Sequence, residues 1–311
     1  RWTNGVGAVA STNSVPESRL AMSQPSTSSE IAETGMRGQR ARKSDLPFFL
    51  VMGGLSASFV VLIVLLLAAD VMFTSFADFR DVLLKPEIQA AFRLTLLSCS
   101  IAALMSLWVG TPLGYLLSRY KFPGRWLVDT LVDIPVVLPP LVLGLSLLIL
   151  FHLPIGGADG WRLETWLRDD VGFPVTYRWP AVILAQFSVA CAFAVRTMRV
   201  TFDQIDPRAE DVARTLGCTR GQAFMQIALP QAWRGMIAAG TIAWARALGE
   251  FGPILIFAGA TRMKTEVLST SVFLELSIGN LDAAVAVSLL MVLMAVTVLL
   301  ILRAIGMRLT A

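Results

Sequence analysis

Six apolar runs separated by short polar segments organise this chain. They lie at Pro47 to Ala69, about Ala90 to Ser118, roughly Thr130 to Phe151, about Trp179 to Val200, about Gly235 to Ala258 and about Ala283 to Leu302. A run of roughly 18 or more apolar residues can cross the hydrocarbon core as a helix, which satisfies its own backbone polar groups there. The pattern therefore predicts an all-α polytopic membrane protein with six transmembrane helices. Shorter helices are expected outside the spans. One falls in the mixed stretch from Asp70 to Gln89, which holds Pro86, and an amphipathic one falls near Leu163 to Arg168.

The segment between the fourth and fifth runs, Asp203 to Arg234, is charged and carries helix-start chemistry. Asp206 before Pro207 reads as an N-cap with proline at the first helical position, and Glu210 sits in the first turn. Ile205, Val212 and Leu216 recur at helical spacing, and Gly217 ends that helix. Thr219 opens a second short helix, with Gln222 completing a capping box, and Leu229-Pro230 is expected to stop it. Two amphipathic helices hung between spans read as a docking surface.

Two spans are irregular. The third holds Pro135, Pro139 and Pro140, followed by Gly144. Broken backbone at membrane depth survives only against protein or a wet cavity, so this span is expected inside the bundle. It lines a translocation path or it is a kinked packing helix. The fifth places Arg246 and Glu250 four apart, on one helical face, with Gly249, Gly252 and Pro253 loosening the helix beside them. A lone charge at the bilayer centre costs about 2.5–3.5 kcal/mol on insertion scales, so the pair should face a cavity or a partner. Arg246 then makes a path attractive to anions with Glu250 holding it, or the two form a packing ion pair.

Composition and charge refine this picture. The chain is 55% hydrophobic and 15% charged, against about a quarter charged in soluble domains. The net charge of +4 does not point to nucleic acid, because the bases cluster at span ends. Their distribution places both termini and the Asp203–Arg234 segment in the cytoplasm, where span-flanking bases are roughly twice as many as outside. Trp161, Trp166 and Trp179 suit an interfacial belt on the outer face. Residues 1–46, polar and rich in Ser and Thr, read as a disordered cytoplasmic tail ahead of a transmembrane domain at 47–311. Cys99, Cys191 and Cys218 are too far apart in sequence for a disulfide framework or zinc site, and the single His152 has no neighbouring ligand. No metal site is expected.

The stretch from Asp211 through Val212, Ala213 and Leu216 to Gly217, then nine residues, then Ile227-Ala228-Leu229-Pro230, resembles the EAA loop of ATP-binding-cassette importer permeases. Asp211 stands where that pattern has Glu, a shorter acid. The resemblance implies a type I importer permease fold with cytoplasmic coupling helices that seat in a groove of the ATPase. It implies alternating access driven by a separate cytoplasmic ATPase dimer that uses ATP and Mg, an extracytoplasmic substrate-binding protein, and a bacterial or archaeal inner membrane. A finer resemblance over roughly residues 90 to 305, carried by DIPVVLPPLVLG from Asp133, ARTLG, and ARALGEFGPILIFAG from Ala245, is to the molybdate/tungstate and sulfate branch. It implies oxyanion import, molybdate or tungstate foremost and sulfate or thiosulfate next, with a second permease copy as partner and a heterodimer as the sulfate-type arrangement.

The chain lacks a Gly-x4-Gly-Lys-Ser/Thr loop, so it is expected to bind no cofactor itself and to catalyse no reaction. A channel, secondary transporter or intramembrane enzyme would need coupling-ion ligands, an internal repeat or ionisable groups drawn from several spans. Asp129 and Asp133 at the edge of the third span do not supply that set.

Overall fold

A computed structural model describes residues 46–157 and 160–308. The expected tail at 1–46 lies almost wholly outside the described residues. Among those described, the long elements are all helical. They are α1 (Leu46–Phe73), α2 (Phe76–Leu84), α3 (Pro86–Arg119), α4 (Arg125–Val137), α5 (Pro140–His152), α6 (Leu163–Asp169) and α7 (Trp179–Gln204). There follow α8 (Arg208–Thr215), α9 (Arg220–Ala223), a π-helical turn (Phe224–Ala228), α10 (Leu229–Gln231), α11 (Trp233–Leu248), α12 (Gly252–Phe257), α13 (Leu268–Ser277) and α14 (Leu281–Arg308). Four helices, α1, α3, α7 and α14, are long and apolar enough to cross a membrane, and the α4–α5 pair can count as a fifth span.

The remaining expected spans differ from plain rods. The third is broken between Val137 and Pro140, and its halves meet at 115°. Proline at 139 and 140 removes two backbone donors in succession, so the ladder cannot continue through them. The fifth is also broken. Its helix ends at Leu248, and Gly249, Glu250 and Phe251 separate it from α12. Arg246 therefore lies in the last turn of α11 and Glu250 in the break, so the expected pair forms across the helix end and not along a continuous helix. A further helix, α13, lies between the fifth and sixth apolar runs, after the turn that carries Arg262 and Lys264.

The core is built on close backbone approach. Among small side chains on α3, α7 and α11, Ala102, Ala190, Ala194 and Ala243 are all fully buried. Gly110 and Gly114 on α3 form a G-x-x-x-G pair facing α7. A Cβ at Gly110 would lie 3.0 Å from Ala194 Cβ, and one at Gly114 would lie 2.8 Å from Met198 Cβ. With no hydrophobic drive between helices in lipid, such contact and shared hydroxyls hold a bundle together. Thr95 supplies one: its hydroxyl donates to Ala91 O at 2.7 Å and accepts from Leu268 N at 2.9 Å, pinning the start of α13 to α3.

The two broken spans meet at their breaks. A Cβ on Gly144 of α5 would come 2.7 Å from Pro253 Cα, and one on Gly252 would come 2.9 Å from Pro140 Cβ and 3.0 Å from Leu141 N. Gly144→Ala is therefore expected to destabilise the bundle by about 1–3 kcal/mol, because the obstacle is backbone and cannot rotate away. Gly221→Ala, which meets nothing within 4 Å, should leave stability unchanged. Thermal unfolding of the two variants in detergent compares them directly.

Candidate functional site: the charged loop and the paired breaks

The charged loop folds as its punctuation dictates. The Asp206 carboxylate accepts from Arg208 N at 3.0 Å, but Pro207 takes the N-cap place expected of Asp206 and α8 begins one residue later than expected. At the other end Gly217 takes φ +99, Gly217 N bonds Arg214 O, and Cys218 N bonds Ala213 O. Those two bonds make a Schellman ending, which only a residue tolerant of positive φ closes without strain. Thr219 and Gln222 make the reciprocal capping box, at 3.3 Å and 2.8 Å.

One expectation here fails. Leu229-Pro230 does not stop the second helix; the chain passes through the π turn and α10 into α11. In the widened turn Leu229 N bonds Phe224 O, and this spacing accommodates the proline ring where an α-turn would clash. Ile227 and Leu229 are half-buried along this stretch, while Pro230 is exposed.

The buried acid of the loop is Glu210, next to the resemblance-derived Asp211. Glu210 receives the Tyr115 hydroxyl at 2.5 Å and Arg119 Nε at 3.0 Å, and Arg119 Nη2 donates to Ile205 O at 2.8 Å. Both side chains of this ion pair are at least 88% shielded from solvent. The Tyr115 ring also sits against Phe202 at 5.2 Å and Phe224 at 4.6 Å. One tyrosine thus touches α7, the π turn and, through Glu210, α8. Asp211 instead is exposed and faces Arg214 at 3.6 Å. Ala213 is buried, whereas Val212 and Leu216 of the expected apolar stripe are 58% and 81% exposed, with Met225 exposed near them in sequence. The stripe is a free apolar surface, and the loop is anchored by polar contacts that spacing alone did not reveal. A Tyr and an Arg four apart at the end of a span, facing an acid-rich loop, were the available clue.

Above the loop, α4 is tied to α7 at its polar edge by Arg196 with Asp133 at 2.7 Å and by Arg199 with Asp129. Ser118 donates to Asp203 at 2.6 Å, adding α3 to the same edge. α4 has no buried residue, and its Trp126 and Val137 are 72% and 80% exposed. Pro135 lies within α4, short of the break, so the structure brings together Pro139, Pro140, Gly144 and Gly252 but leaves Pro135 aside.

Near the α11–α12 break, Arg246 Nη2 stands 3.2 Å from Glu250 Oε2, and its guanidinium lies 5.7 Å from the centre of the Phe193 ring. The Glu250 side chain is 1% exposed, and its Oε2 lacks a well-angled hydrogen bond. The Glu250 carbonyl accepts from Ser269 of α13 at 2.8 Å. Arg246 keeps a third of its side-chain surface open, so it is the member of the pair able to meet an ion.

At the opposite end of the bundle, buried acids fasten the loops. Glu164 accepts from Val175 N and Thr176 N, Arg262 pairs with Glu275 at 2.9 Å, and Ser271 donates to Glu266 at 2.8 Å. Burial pushes the Glu266 carboxyl above its ordinary pKa, with the Ser271 bond acting the other way. His152 is within 3.0 Å of the Leu148 carbonyl, one turn back along α5.

A family model for the binding-protein-dependent transport system inner membrane component matches residues 110–310. The sulfate transport system permease protein CysT of Escherichia coli (strain K12) is 36% identical over 247 residues, covering 78% of this chain and 87% of that protein. The molybdenum transport system permease protein ModB of the same strain is 34% identical over 192 residues, covering 62% of this chain and 81% of that protein. A bacterial alginate ABC transporter, solved in complex with an alginate pentasaccharide-bound periplasmic protein, shares the fold. Its chain matches with a TM-score of 0.66 at 19% identity, over 88% of this chain and 99% of that one.

Loss of the anchor should release the loop. Glu210→Ala is expected to cost about 1.5–3 kcal/mol locally, the worth of charge-assisted hydrogen bonds. It should speed amide hydrogen exchange across residues 208–215, whereas Asp211→Ala leaves exchange there nearly unchanged.

Proposed function

Since the chain belongs to the family of binding-protein-dependent transport system inner membrane components, the permeases of ABC importers, we propose that it carries a tetrahedral oxyanion inward across the membrane. The observation that carries the reading is the Glu210 anchor, which ties an exposed apolar face of Val212 and Leu216 rigidly to the end of α3. That face suits a groove on a cytoplasmic ATPase dimer. A push on α8 is delivered to α3 and α7 through Tyr115 and Arg119, and to α11 along the unbroken path through the π turn. The loop end of the bundle then faces the cytoplasm, with both termini on that side. ATP and Mg are handled by the ATPase, and a binding protein delivers the ion at the opposite face.

The exposed apolar face of α4 supports a second permease subunit as its partner, identical or closely related. Pro139, Pro140, Gly144 and Gly252, together with the partly open Arg246, mark the segment along which the anion passes. Arg246 offers the charge, and Glu250 limits its hold so that the ion can leave. Differential affinity of the nucleotide for the two states drives the change between them.

Two ions have specific support. The sulfate reading follows the relative aligned over 247 residues, and the molybdate or tungstate reading follows the relative aligned over 192 and the phrases around Asp133 and Ala245. Uptake of labelled sulfate and labelled molybdate by the assembled complex in proteoliposomes decides between them: the transported ion accumulates with ATP and is not displaced by excess of the other. Failure of both to accumulate counts against oxyanion import.

Gly217→Val places a β-branched residue at positive φ, a strain of about 1–3 kcal/mol. Uptake should collapse while membrane insertion is normal, and normal uptake would remove the loop from the mechanism. Arg246→Ala should slow uptake in a complex that still assembles with its ATPase; loss of assembly would make the pair a packing device.

A further inference from the structure

The charge at the far end of α3 has no use in the mechanism above. Arg93 is exposed and makes no ion pair among the described residues. Its place along the helix is informative. α3 is 34 residues long, and its uncharged run from Leu94 to Ser118 is bracketed by Arg93 and Arg119. That run is roughly 37 Å of helix, a little more than the hydrocarbon core, so Arg93 sits at the boundary where lipid phosphates lie.

Beside Arg93 opens a groove of about 530 Å³ between α3 and α14. Leu83, Phe92 and Leu96 form one wall, and Leu290, Leu293 and Val298 the other. Gln89 stands at its polar end with its amide donating to Leu83 O, and Arg93 is the one charged residue of the lining. A groove of this size, within the ~300–1,000 Å³ range of ligand sites, is apolar but for Gln89, Thr297 and the single cation Arg93.

We propose that this groove is a binding site for an anionic glycerophospholipid, its phosphate on Arg93 and an acyl chain laid along α14. The occupant follows from charge complementarity. A guanidinium at the hydrocarbon boundary needs a counter-charge, and no side chain of the groove provides one. A zwitterionic lipid brings its own cation to the same place and leaves the charge half-balanced. A protein helix filling the groove would have to carry an acid at the Arg93 level.

The test is native mass spectrometry of the full-length protein taken from nanodiscs of phosphatidylglycerol or of phosphatidylcholine. The wild type should retain phosphatidylglycerol through detergent exchange and release phosphatidylcholine. Arg93→Gln should lower retention about fivefold, what one interfacial basic residue contributes toward an anionic surface. Arg93→Lys should keep most of it, and Leu293→Trp should lower it by filling the groove without touching the charge. Thermal melts of each variant separate lost lipid from lost fold: if Arg93→Gln is misfolded, Leu293→Trp carries the test. Inorganic phosphate in excess should not displace the lipid, because it has nothing to place against the apolar walls. Equal retention of both lipids, or retention untouched by Arg93→Gln and Leu293→Trp, overturns the proposal. So does a cross-link from a photoreactive residue at 293 into protein instead of lipid.

Discussion

The constraint on which the loop end depends is the need to satisfy one shielded carboxylate. The Glu210 side chain is only 8% exposed, so its charge is met chiefly by protein, by Arg119 and Tyr115 from the last turns of α3. Removing either partner leaves a desolvated charge, which costs more than the pair gains. The geometry of α8 relative to α3 is therefore not adjustable by small slippage. Aromatic packing around Tyr115 extends the same rigidity to α7 and the π turn. The buried side of α8 carries Glu210 and Ala213, and its exposed side carries Val212 among charged residues.

The membrane half of the molecule follows a different logic. Small residues and hydroxyls let α3, α7 and α11 approach closely, and this contact substitutes for the hydrophobic drive that lipid removes. Against that well-packed set stand α4, with no buried residue, and the two breaks at 138–139 and 249–251. Gly144 and Gly252 oppose Pro253 and Pro140 across the breaks, but Pro139 and Pro140 are themselves exposed and α4 buries no residue, so the third span lies at the edge of the bundle and not inside it as expected. The same region holds Glu250, whose burial is tolerable only with Arg246 beside it.

Much of this was legible in the chain. The helical class, the four long spans, the Gly217 ending and the Thr219–Gln222 box all rest on local rules that tertiary context did not override. What escaped was set by neighbours distant in sequence. Glu210 and Asp211 are adjacent acids, and only the position of Tyr115, some 95 residues away, decides which one is buried. Val212 and Leu216 follow a core-like spacing yet face outward, because periodicity marks an apolar face without saying what covers it. Pro230 reads as a stop in an α-helix and loses that meaning in the first turn of α10, just after the π turn. The length of α13 was hidden by its polar start, whose bond to Thr95 comes from another span.

The glycine contacts at the breaks have a genetic consequence. Gly144 faces Pro253, and Gly252 faces Pro140, so each smallest residue is set against a ring fixed in its backbone. A bulkier residue at either glycine meets a ring that cannot rotate aside, and relief has to come from replacing the opposing proline or from moving a whole half-helix. Sequences descended from this one should hold these four positions as a block, changing together or hardly at all.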